Sequence, residues 1–299
     1  MRGGLLGIEG LDRAEIDAIL HRARDFQSSS NEAVGSTLHD RLIVNLFFEA
    51  STGTRNSFET ASRRLGAESV SISAATSSGS TGGVLADTRK AFAAMRPHAV
   101  VIRHPASGAP HFLARHLDTP IINAGDGAHE HPTQALVNAR TLLDRRPTLE
   151  GLRVVIIGDI ANSRIARSNV HLLSKFGAEI VLCGPPSLLP AGLAGLAPGV
   201  RLTSDLEQAV RDADVIMMLR VPLDWKYETP MSADEYFQFY GLRHEHLQLA
   251  KPDALVMHPG PVSGRELSAE VAGLERSIIL NQVENAVAVR MAVLEWVLQ

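Results

Sequence analysis

The sequence predicts an α/β fold of two domains, each with a parallel sheet flanked by helices, joined by two interdomain helices. A chain of 299 residues is long enough for two domains of ordinary size. Short apolar, β-branched runs alternate with helical patterns, which is typical of parallel sheets. The alternation restarts at residue 151, after good helix formers without glycine at 131–147. We expect domains at 1–145 and 146–284, the first completed by a helix at 285–299.

The first domain is predicted to begin with a helix. Asp12 can cap this helix together with Glu15, and apolar residues recur at helical spacing to about Gln27. Gly66 closes a later helix, and Pro97 breaks the chain before an apolar strand. The other predicted elements of this half are strands at 41–49, 68–73, 99–104 and 121–123 and helices at 54–65, 84–95 and 131–145.

The second domain repeats the same alternation of strand and helix. A helix that carries Ile165, Val170 and Phe176 ends at Gly177, and the strand EIVLC follows at once. No GxGxxG fingerprint follows the first strand of this half, so dinucleotide binding is not favoured. The other predicted elements are strands at 151–160, 213–220 and 253–258 and a closing helix at 285–298.

Composition excludes several classes of protein. The chain is 45% hydrophobic and 21% charged, with a net charge of −4, which argues against disorder and against nonspecific binding to nucleic acid or an anionic membrane. No apolar run is long enough to span a membrane. The one cysteine, Cys183, lies in an apolar run and is predicted to be a buried, inert thiol. The first 20 residues lack the apolar core of a signal peptide, so we expect a cytoplasmic protein with a small-molecule partner.

Polar and cationic residues follow the predicted strands at the point where each strand ends. Ligands of open α/β sheets bind beyond the carboxyl ends of the strands. The segment 50–55 opens a helix, where hydroxyls and backbone N–H groups can bind an oxyanion. The other strand ends carry Arg103-His104-Pro105, the segment 124–134, Asn162-Ser163-Arg164, Arg220 and the segment 258–266.

Each of these residues also has an ordinary structural explanation. Ser51 and Thr52 can be a plain helix cap, and His131 can be a satisfied histidine at a helix N-terminus. Arg164 and Arg220 can be solvated surface charges. Five strand ends with the same anion-binding chemistry are nevertheless hard to explain as coincidence. The pattern favours a site for a highly anionic small molecule.

Seven segments together resemble one known family, the catalytic chains of aspartate carbamoyltransferases. The resemblance runs from about residue 4 to the C-terminus, and HPTQAL combined with this type of phosphate loop is specific to transcarbamoylases. The HPGP segment favours aspartate over ornithine as the acceptor. The segments are FFEASTGTRNSFE at 47–59, RHP at 103–105, HPTQAL at 131–136, GDIANSR at 158–164, LRV at 219–221, HPGP at 258–261 and NQVENAVAVRMAVL at 281–294.

The resemblance implies a reaction and a role for each matched residue. The family transfers the carbamoyl group of carbamoyl phosphate to L-aspartate in pyrimidine biosynthesis, without a metal or cofactor. Arg164 and Arg220 would pair with the aspartate carboxylates, for which the guanidinium fork is suited. The remaining implied contacts are Ser51, Thr52, Thr54 and Arg55 with the phosphate; Thr54, Arg103 and His131 with the carbamoyl oxygen; and Gln134 with the main chain of Pro259, Gly260 and Pro261 with the carbamoyl NH2.

The resemblance also implies an assembly. A family loop that matches residues 76–83 reaches into the active site of a neighbouring subunit, so the active unit would be a homotrimer. A larger assembly with regulatory or dihydroorotase-type chains is compatible with the family, but nothing in this chain decides it. No nucleic-acid or membrane partner is expected.

The chain departs from the family pattern at several site positions. Gly53 stands in the phosphate loop where the family has arginine, and Thr81 stands in the loop at 76–83 where the family has lysine. Pro222 replaces a glutamine, and the tail after HPGP also differs. The two missing cations would both have contacted the phosphate. One lost donor of this kind costs roughly 10²–10³ in rate.

These departures leave several hypotheses open. The lead hypothesis is an aspartate carbamoyltransferase whose activity is reduced by the loss of the two cations. The alternatives are a non-catalytic homologue with a structural or partner role, and a transcarbamoylase with another donor or acceptor. A two-lobed anion-binding module is a hypothesis of a different class. His131 with Gln134 argues against it, because capturing an anion needs no group that polarises a carbonyl.

Overall fold

Two parallel five-stranded sheets organise the chain. The structure is a computed structural model that describes residues 3–29, 34–73, 95–221 and 231–299. The chain divides into two units, and the two boundaries between them fall inside helices. The first unit is Met1–Arg140 with Glu284–Gln299, and the second is Thr141–Val283. The two-domain α/β class predicted from the sequence is confirmed.

The first unit contains a sheet of strand order β1-β5-β4-β2-β3, in which all paired strands are parallel. Its core lies between the sheet and the helices, where the strand residues Val44, Val100 and Ile102 pack with Leu113. The strands are β1 (Gly4–Leu5), β2 (Leu42–Phe47), β3 (Glu68–Ser73), β4 (Ala99–His104) and β5 (Ile121–Asp126). The helices are α1 (Arg13–Ser28), α2 (Thr52–Arg64), α3 (Ala109–Ala114) and the N-terminal part of α4 (Pro132–Leu143).

The second unit contains a parallel sheet of order β10-β9-β6-β7-β8. Its strands are β6 (Arg153–Ile157), β7 (Glu179–Cys183), β8 (Arg201–Thr203), β9 (Val215–Met218) and β10 (Leu255–Met257). Its helices are α5 (Arg164–Lys175), α6 (Leu206–Val210), α7 (Ala233–Tyr240), α8 (His244–Leu247) and α9 (Ala269–Ala272), and α10 (Ile279–Leu298) returns the chain to the first unit. Cys183 is buried in the core, as predicted, and burial raises the pKa of its thiol to about 12.

Local sequence signals explain most helix ends. Asp12 and Glu15 form the predicted capping box of α1. Gly66 and Gly177 follow α2 and α5 with φ of +78° and +74°, a conformation that glycine adopts without steric cost. A Cβ atom at position 66 would also lie 2.0 Å from the carbonyl oxygen of Gly35. The predicted ends of both helices are confirmed.

The structure corrects several predicted bounds. α2 begins at Thr52 and α10 at Ile279, earlier than the predicted 54 and 285, because polar residues or glycine in their first turns interrupt the apolar pattern from which the starts were predicted. The strands β1 and β8 have two and three residues, too few for a hydrophobic pattern, and were not predicted. The helix predicted at 84–95 and the loop predicted at 76–83 lie outside the described residues, except Met95. In the described part of the chain, no helix is both long and apolar enough to cross a membrane.

Candidate functional site

The predicted site residues follow neighbouring strands in each sheet. In the first unit, Arg103 lies near the end of β4, while His131 and Ser51 lie in the segments after β5 and β2, and these three strands lie side by side. In the second unit, Arg220 and Arg164 follow β9 and β6, which are also neighbours. The chain reverses its direction of winding between β2 and β4 and again between β6 and β9. Both sets of residues therefore lie at a topological switch point, where open α/β sheets bind ligands.

The N-terminus of α2 is exposed and has free donors. Ser51 is its N-cap, but its side chain makes no capping hydrogen bond within the described part of the chain. The first backbone bond of the helix runs from Arg55 N to Ser51 O at 3.0 Å, so the N–H groups of Thr52, Gly53 and Thr54 have no acceptor in the helix. Thr52 and Gly53 are exposed, and Thr54 is half-buried. This end can receive an anion, and Ser51 occupies the N-cap position without the side-chain hydrogen bond, among the described residues, that an ordinary cap makes.

Two arginines contribute positive charge to the first unit. Arg55 extends from the first turn of α2 and lies 3.7 Å from Glu59, with both side chains 38% exposed. Arg103, at the end of β4, is only 15% exposed. Its Nε donates to Glu49 at 3.0 Å, and its Nη1 donates to the carbonyl oxygen of Ala124 at 3.3 Å. These contacts hold the guanidinium of Arg103 in one orientation at the strand ends.

His131 and Gln134 begin α4, as the sequence predicts. His131 is 3% exposed, and its Nδ1 lies 3.5 Å from Thr133 Oγ1. Gln134 is half-buried, and its Nε2 donates to Asn138 Oδ1 at 3.1 Å. With Nε2 engaged in this bond, the amide presents its oxygen as the acceptor. The imidazole is therefore held in a buried position in the first turn of the segment that carries Gln134.

A third arginine of the first unit, Arg290, lies in α10 and is fully buried. Its guanidinium lies over the ring of Phe58 at 5.2 Å, and its Nη1 donates to Ala286 O at 3.1 Å. Burial, together with the smaller effect of the nearby charge of Arg103, lowers the pKa of Arg290 to about 9. The group remains a cation at neutral pH and adds to the positive potential felt by Arg103.

In the second unit, the two predicted arginines come from different kinds of element. Arg164 is the first residue of α5 and is half-buried, next to the N-cap Ser163, whose side chain accepts from Ala166 N at 3.1 Å. Arg220 is exposed directly after the sheet, where Leu219 N still donates to Ile157 O at 2.8 Å. Both cations therefore stand at the carboxyl ends of adjacent strands, within reach of solvent.

The segment after β10 is held by a buried pair, His258 and Glu266. Gly260 N donates to His258 Nδ1 at 2.9 Å, and Glu266 accepts from Val221 N at 3.0 Å and from Ser263 Oγ at 2.7 Å. Burial lowers the pKa of His258 below its ordinary value, so the imidazole is neutral at pH 7. Burial alone would raise the pKa of Glu266, but these hydrogen bonds outweigh it and keep the carboxylate ionised. The pair thus anchors the chain after Arg220 to the segment 259–263.

Pro259, Gly260 and Pro261 follow β10 in a sharp turn. Gly260 has φ +66°, and the Gly260-Pro261 peptide bond is cis. Pro259 and Gly260 are half-buried and Pro261 is exposed, so main-chain groups of the turn face solvent. Thr81 and Pro222 lie outside the described residues, and their predicted roles stay predictions.

Sequence reasoning missed three residues that shape these strand ends. Glu49 directly precedes the phosphate-loop segment 50–55, which is the signal that could have found it, but its bond to Arg103 spans 54 residues of chain. Glu266 contacts Val221 across 45 residues of chain, which no local pattern reveals. Arg290 interrupts an otherwise apolar stretch of α10, and a charge within such a stretch was its signal.

Comparison with protein-family models matches nearly the whole chain. The model described as the carbamoyl-P binding domain of aspartate/ornithine carbamoyltransferase matches residues 4–144. The model described as the Asp/Orn binding domain of the same family matches residues 150–297.

The similar proteins and solved structures are also named as aspartate or ornithine carbamoyltransferases. The aspartate carbamoyltransferase catalytic subunit of Solibacter usitatus is 66% identical and covers 100% of both chains, and that of Gluconobacter oxydans is 49% identical over 97% of this chain and 94% of the other. An aspartate transcarbamoylase from Trypanosoma cruzi, solved with carbamoyl phosphate and aspartate, has a TM-score of 0.86 at 30% identity, covering 99% and 95% of the two chains. Ornithine carbamoyltransferase from Pyrococcus furiosus has a TM-score of 0.87 at 27% identity, covering 99% and 96%.

Proposed function

Because the chain belongs to the aspartate/ornithine carbamoyltransferase family, we infer that it transfers the carbamoyl group of carbamoyl phosphate to the amine of L-aspartate. The products are N-carbamoyl-L-aspartate and phosphate, and the reaction serves pyrimidine biosynthesis. The observation that carries the inference is the 66% identity, over the full length, to a catalytic subunit named for aspartate. The ornithine enzyme from Pyrococcus furiosus is 27% identical.

The reaction needs donors that are already oriented. The amine nitrogen attacks the carbamoyl carbon, the C–N bond forms, and negative charge develops on the carbamoyl oxygen of a tetrahedral intermediate. The C–O bond to phosphate then breaks, and the amine loses a proton. Positioned donors that face the developing charge supply most of the rate enhancement in reactions of this kind.

Carbamoyl phosphate is assigned to the end of the first sheet. The phosphate would lie at the N-terminus of α2, with Ser51, Thr52, Thr54 and Arg55; free N–H groups and the helix dipole support this assignment. Arg103, His131 and Thr54 would surround the carbamoyl oxygen. The Gln134 amide oxygen would accept from the carbamoyl NH2, as would the main chain of Pro259, Gly260 and Pro261. Gly53 belongs to the same phosphate loop without supplying a side chain.

L-Aspartate is assigned to the arginines of the second sheet. Each guanidinium can donate two parallel hydrogen bonds to a carboxylate, and the acceptor has two carboxylates for Arg164 and Arg220. Their position at a topological switch point supports the assignment. Thr81 is included because it occupies the position of the family's loop lysine.

The proposal includes a homotrimer in the cytoplasm. In the family, the loop that matches 76–83 completes the site of a neighbouring subunit. Sedimentation should therefore give roughly three times the chain mass of 32.2 kDa, and a stable monomer at micromolar concentration would contradict the trimer. A larger assembly with regulatory or dihydroorotase-type chains is compatible with this proposal.

A steady-state assay with two acceptors tests the proposed function. We expect phosphate release from carbamoyl phosphate with L-aspartate and little with L-ornithine. Arg164→Ala should raise the KM for aspartate about tenfold or more, since a charge-assisted hydrogen bond contributes about 1.5–3 kcal/mol. The KM for carbamoyl phosphate should change little. Product formation by a colorimetric ureido assay gives an independent measurement.

Arg211→Ala is the matched control for this assay. Arg211 is also in the second unit and is exposed, but it precedes β9 and so lies at the opposite end of the sheet. Its removal should leave both KM values near those of the parent. Preference for ornithine, or equal effects of the two arginine substitutions, would contradict the assignment.

A further inference from the structure

We propose that His111, Asp126 and His129 bind one zinc ion in the first unit. Each of the three side chains offers one ligand atom, and these atoms lie within 4.8 Å of one another. His111 comes from α3, Asp126 is the last residue of β5, and His129 lies in the turn that precedes α4. None of the three is among the residues assigned to the substrates, so the proposal does not rest on the proposed function.

The ligand set has the chemistry that zinc prefers. Two imidazoles and one carboxylate, with a water molecule in the fourth position, form a common tetrahedral arrangement. Tetrahedral zinc with bonds of about 2.0–2.1 Å needs its ligand atoms about 3.3–3.5 Å apart, so side-chain movements of about an ångström complete the site. The His129 side chain is 37% exposed and gives the ion a path from solvent.

The carboxylate of Asp126 is already fixed. It is fully buried, and its Oδ1 accepts from Asn123 Nδ2 at 2.8 Å and from Glu130 N at 3.1 Å. Its Oδ2 accepts from Gly108 N at 2.7 Å and lies 3.1 Å from His129 Nδ1, and a bound ion would replace this second contact. Ligating carboxylates in metalloproteins are held by outer hydrogen bonds of this kind. Asp126 is therefore oriented for coordination before any ion binds.

The histidines stand around this carboxylate. His129 Nδ1 lies 3.1 Å from Asp126 Oδ2, and the rings of His111 and His129 meet edge to face with centroids 5.4 Å apart. His111 Nδ1 is buried and has no hydrogen-bond partner among the residues that the structure describes. A buried polar atom without a partner costs free energy, which a bond to a metal would remove.

The two segments that supply the ligands are joined by hydrogen bonds that do not involve the ligand atoms. Gly127 N donates to His104 O at 2.9 Å, and Ala128 N donates to Ser107 Oγ at 3.2 Å. This frame sets the separation of the ligands, and preorganisation reduces the ordering that metal binding must impose. A bound ion would fasten α3 to the turn before α4 and should stabilise the fold by mass action.

Zinc binding to the full-length chain tests the proposal. The protein is treated with EDTA, exchanged into chelator-free buffer and titrated with Zn²⁺ against a chromophoric chelator. We expect one equivalent per chain for the parent. His111→Ala and His129→Ala should bind at least about tenfold more weakly, since even outer-sphere partners change metal affinity by about 10–100-fold. Zn²⁺ should also raise the Tm of the parent, and EDTA should reverse the rise.

His116→Ala is the matched control, because His116 lies just beyond the same helix, is exposed and bonds to Phe112 O at 2.7 Å. It should bind zinc like the parent. Less than one equivalent in the parent overturns the proposal, as does equal affinity in the His111, His129 and His116 variants. If an alanine variant does not fold, the titration is repeated with His111→Gln and His129→Gln. The number of zinc ions bound by the parent tests the proposal even if no variant folds, because a parent that binds no zinc has no such site.

Discussion

Gly53→Arg combined with Thr81→Lys is expected to raise the rate of aspartate carbamoylation by up to about 10²-fold. Both substitutions restore a cation where the family carries one, next to the phosphate that gains charge as it leaves. The loss of one such donor costs roughly 10²–10³ in turnover, which sets the scale of the expected gain. The gain should appear in kcat and in the KM for carbamoyl phosphate. The KM for aspartate should change little.

The environment of Gly53 favours this result. Gly53 is exposed near the start of α2, and a Cβ atom there would meet no heavy atom within 4 Å. Its φ lies outside the left-handed region, so the backbone accepts a side chain. Replacing glycine in a helix gains up to about 1 kcal/mol in propensity, while a cation near a helix N-terminus costs roughly 0.3–1 kcal/mol. The two effects nearly cancel, so thermal unfolding should be almost unchanged.

The double variant is compared with the parent and with both single variants, because two groups on one phosphate need not act additively. Gly192→Arg adds a cation at an exposed glycine of the second unit that also has no heavy atom within 4 Å of its Cβ position. It should leave the rate unchanged. A folded double variant as inactive as the parent, with neither binding carbamoyl phosphate, would favour a non-catalytic homologue. Rapid turnover by the parent would mean that another group supplies the positive charge that is missing at positions 53 and 81.

His131→Ala is expected to lower kcat by roughly 10²–10³, the cost of removing one donor from a developing oxyanion. The imidazole is 3% exposed and immediately precedes α4, so its donor is held in one position by the surrounding chain. The KM for aspartate should change less than kcat. Initial rates at saturating carbamoyl phosphate measure the loss.

Two variants separate catalysis from folding in this experiment. His131→Gln retains a side-chain donor and should recover part of the lost rate. His21→Ala removes an exposed histidine from α1 and should behave like the parent. Since His131 is buried, Tm is measured for each variant at the assay pH. A folded His131→Ala variant with normal kcat would remove His131 from the proposed mechanism.

The sequence alone determined the fold class, most elements and the residues that follow each strand. These properties are local: hydrophobic periodicity distinguishes helix from strand, and residues such as Asp12, Gly66 and Gly177 mark helix ends within a few positions. The candidate residues Ser51, Arg103, His131, Arg164 and Arg220 were found because a polar residue at a strand end is visible without tertiary structure. Short edge strands such as β1 left no pattern to read.

Only the tertiary structure decided which of these residues are neighbours. Strand order places the segments after β2, β4 and β5 side by side, although up to 80 residues separate them in the chain. It also pairs Arg103 with Glu49 and brings Glu266 to Val221. Only the three-dimensional structure shows that the side chain of Ser51 makes no capping hydrogen bond to the described residues and that His111, Asp126 and His129 form a cluster. The physical reason is that periodicity reports the environment of one element, whereas a site depends on how the strands pair and on the hydrogen bonds that join segments distant in sequence.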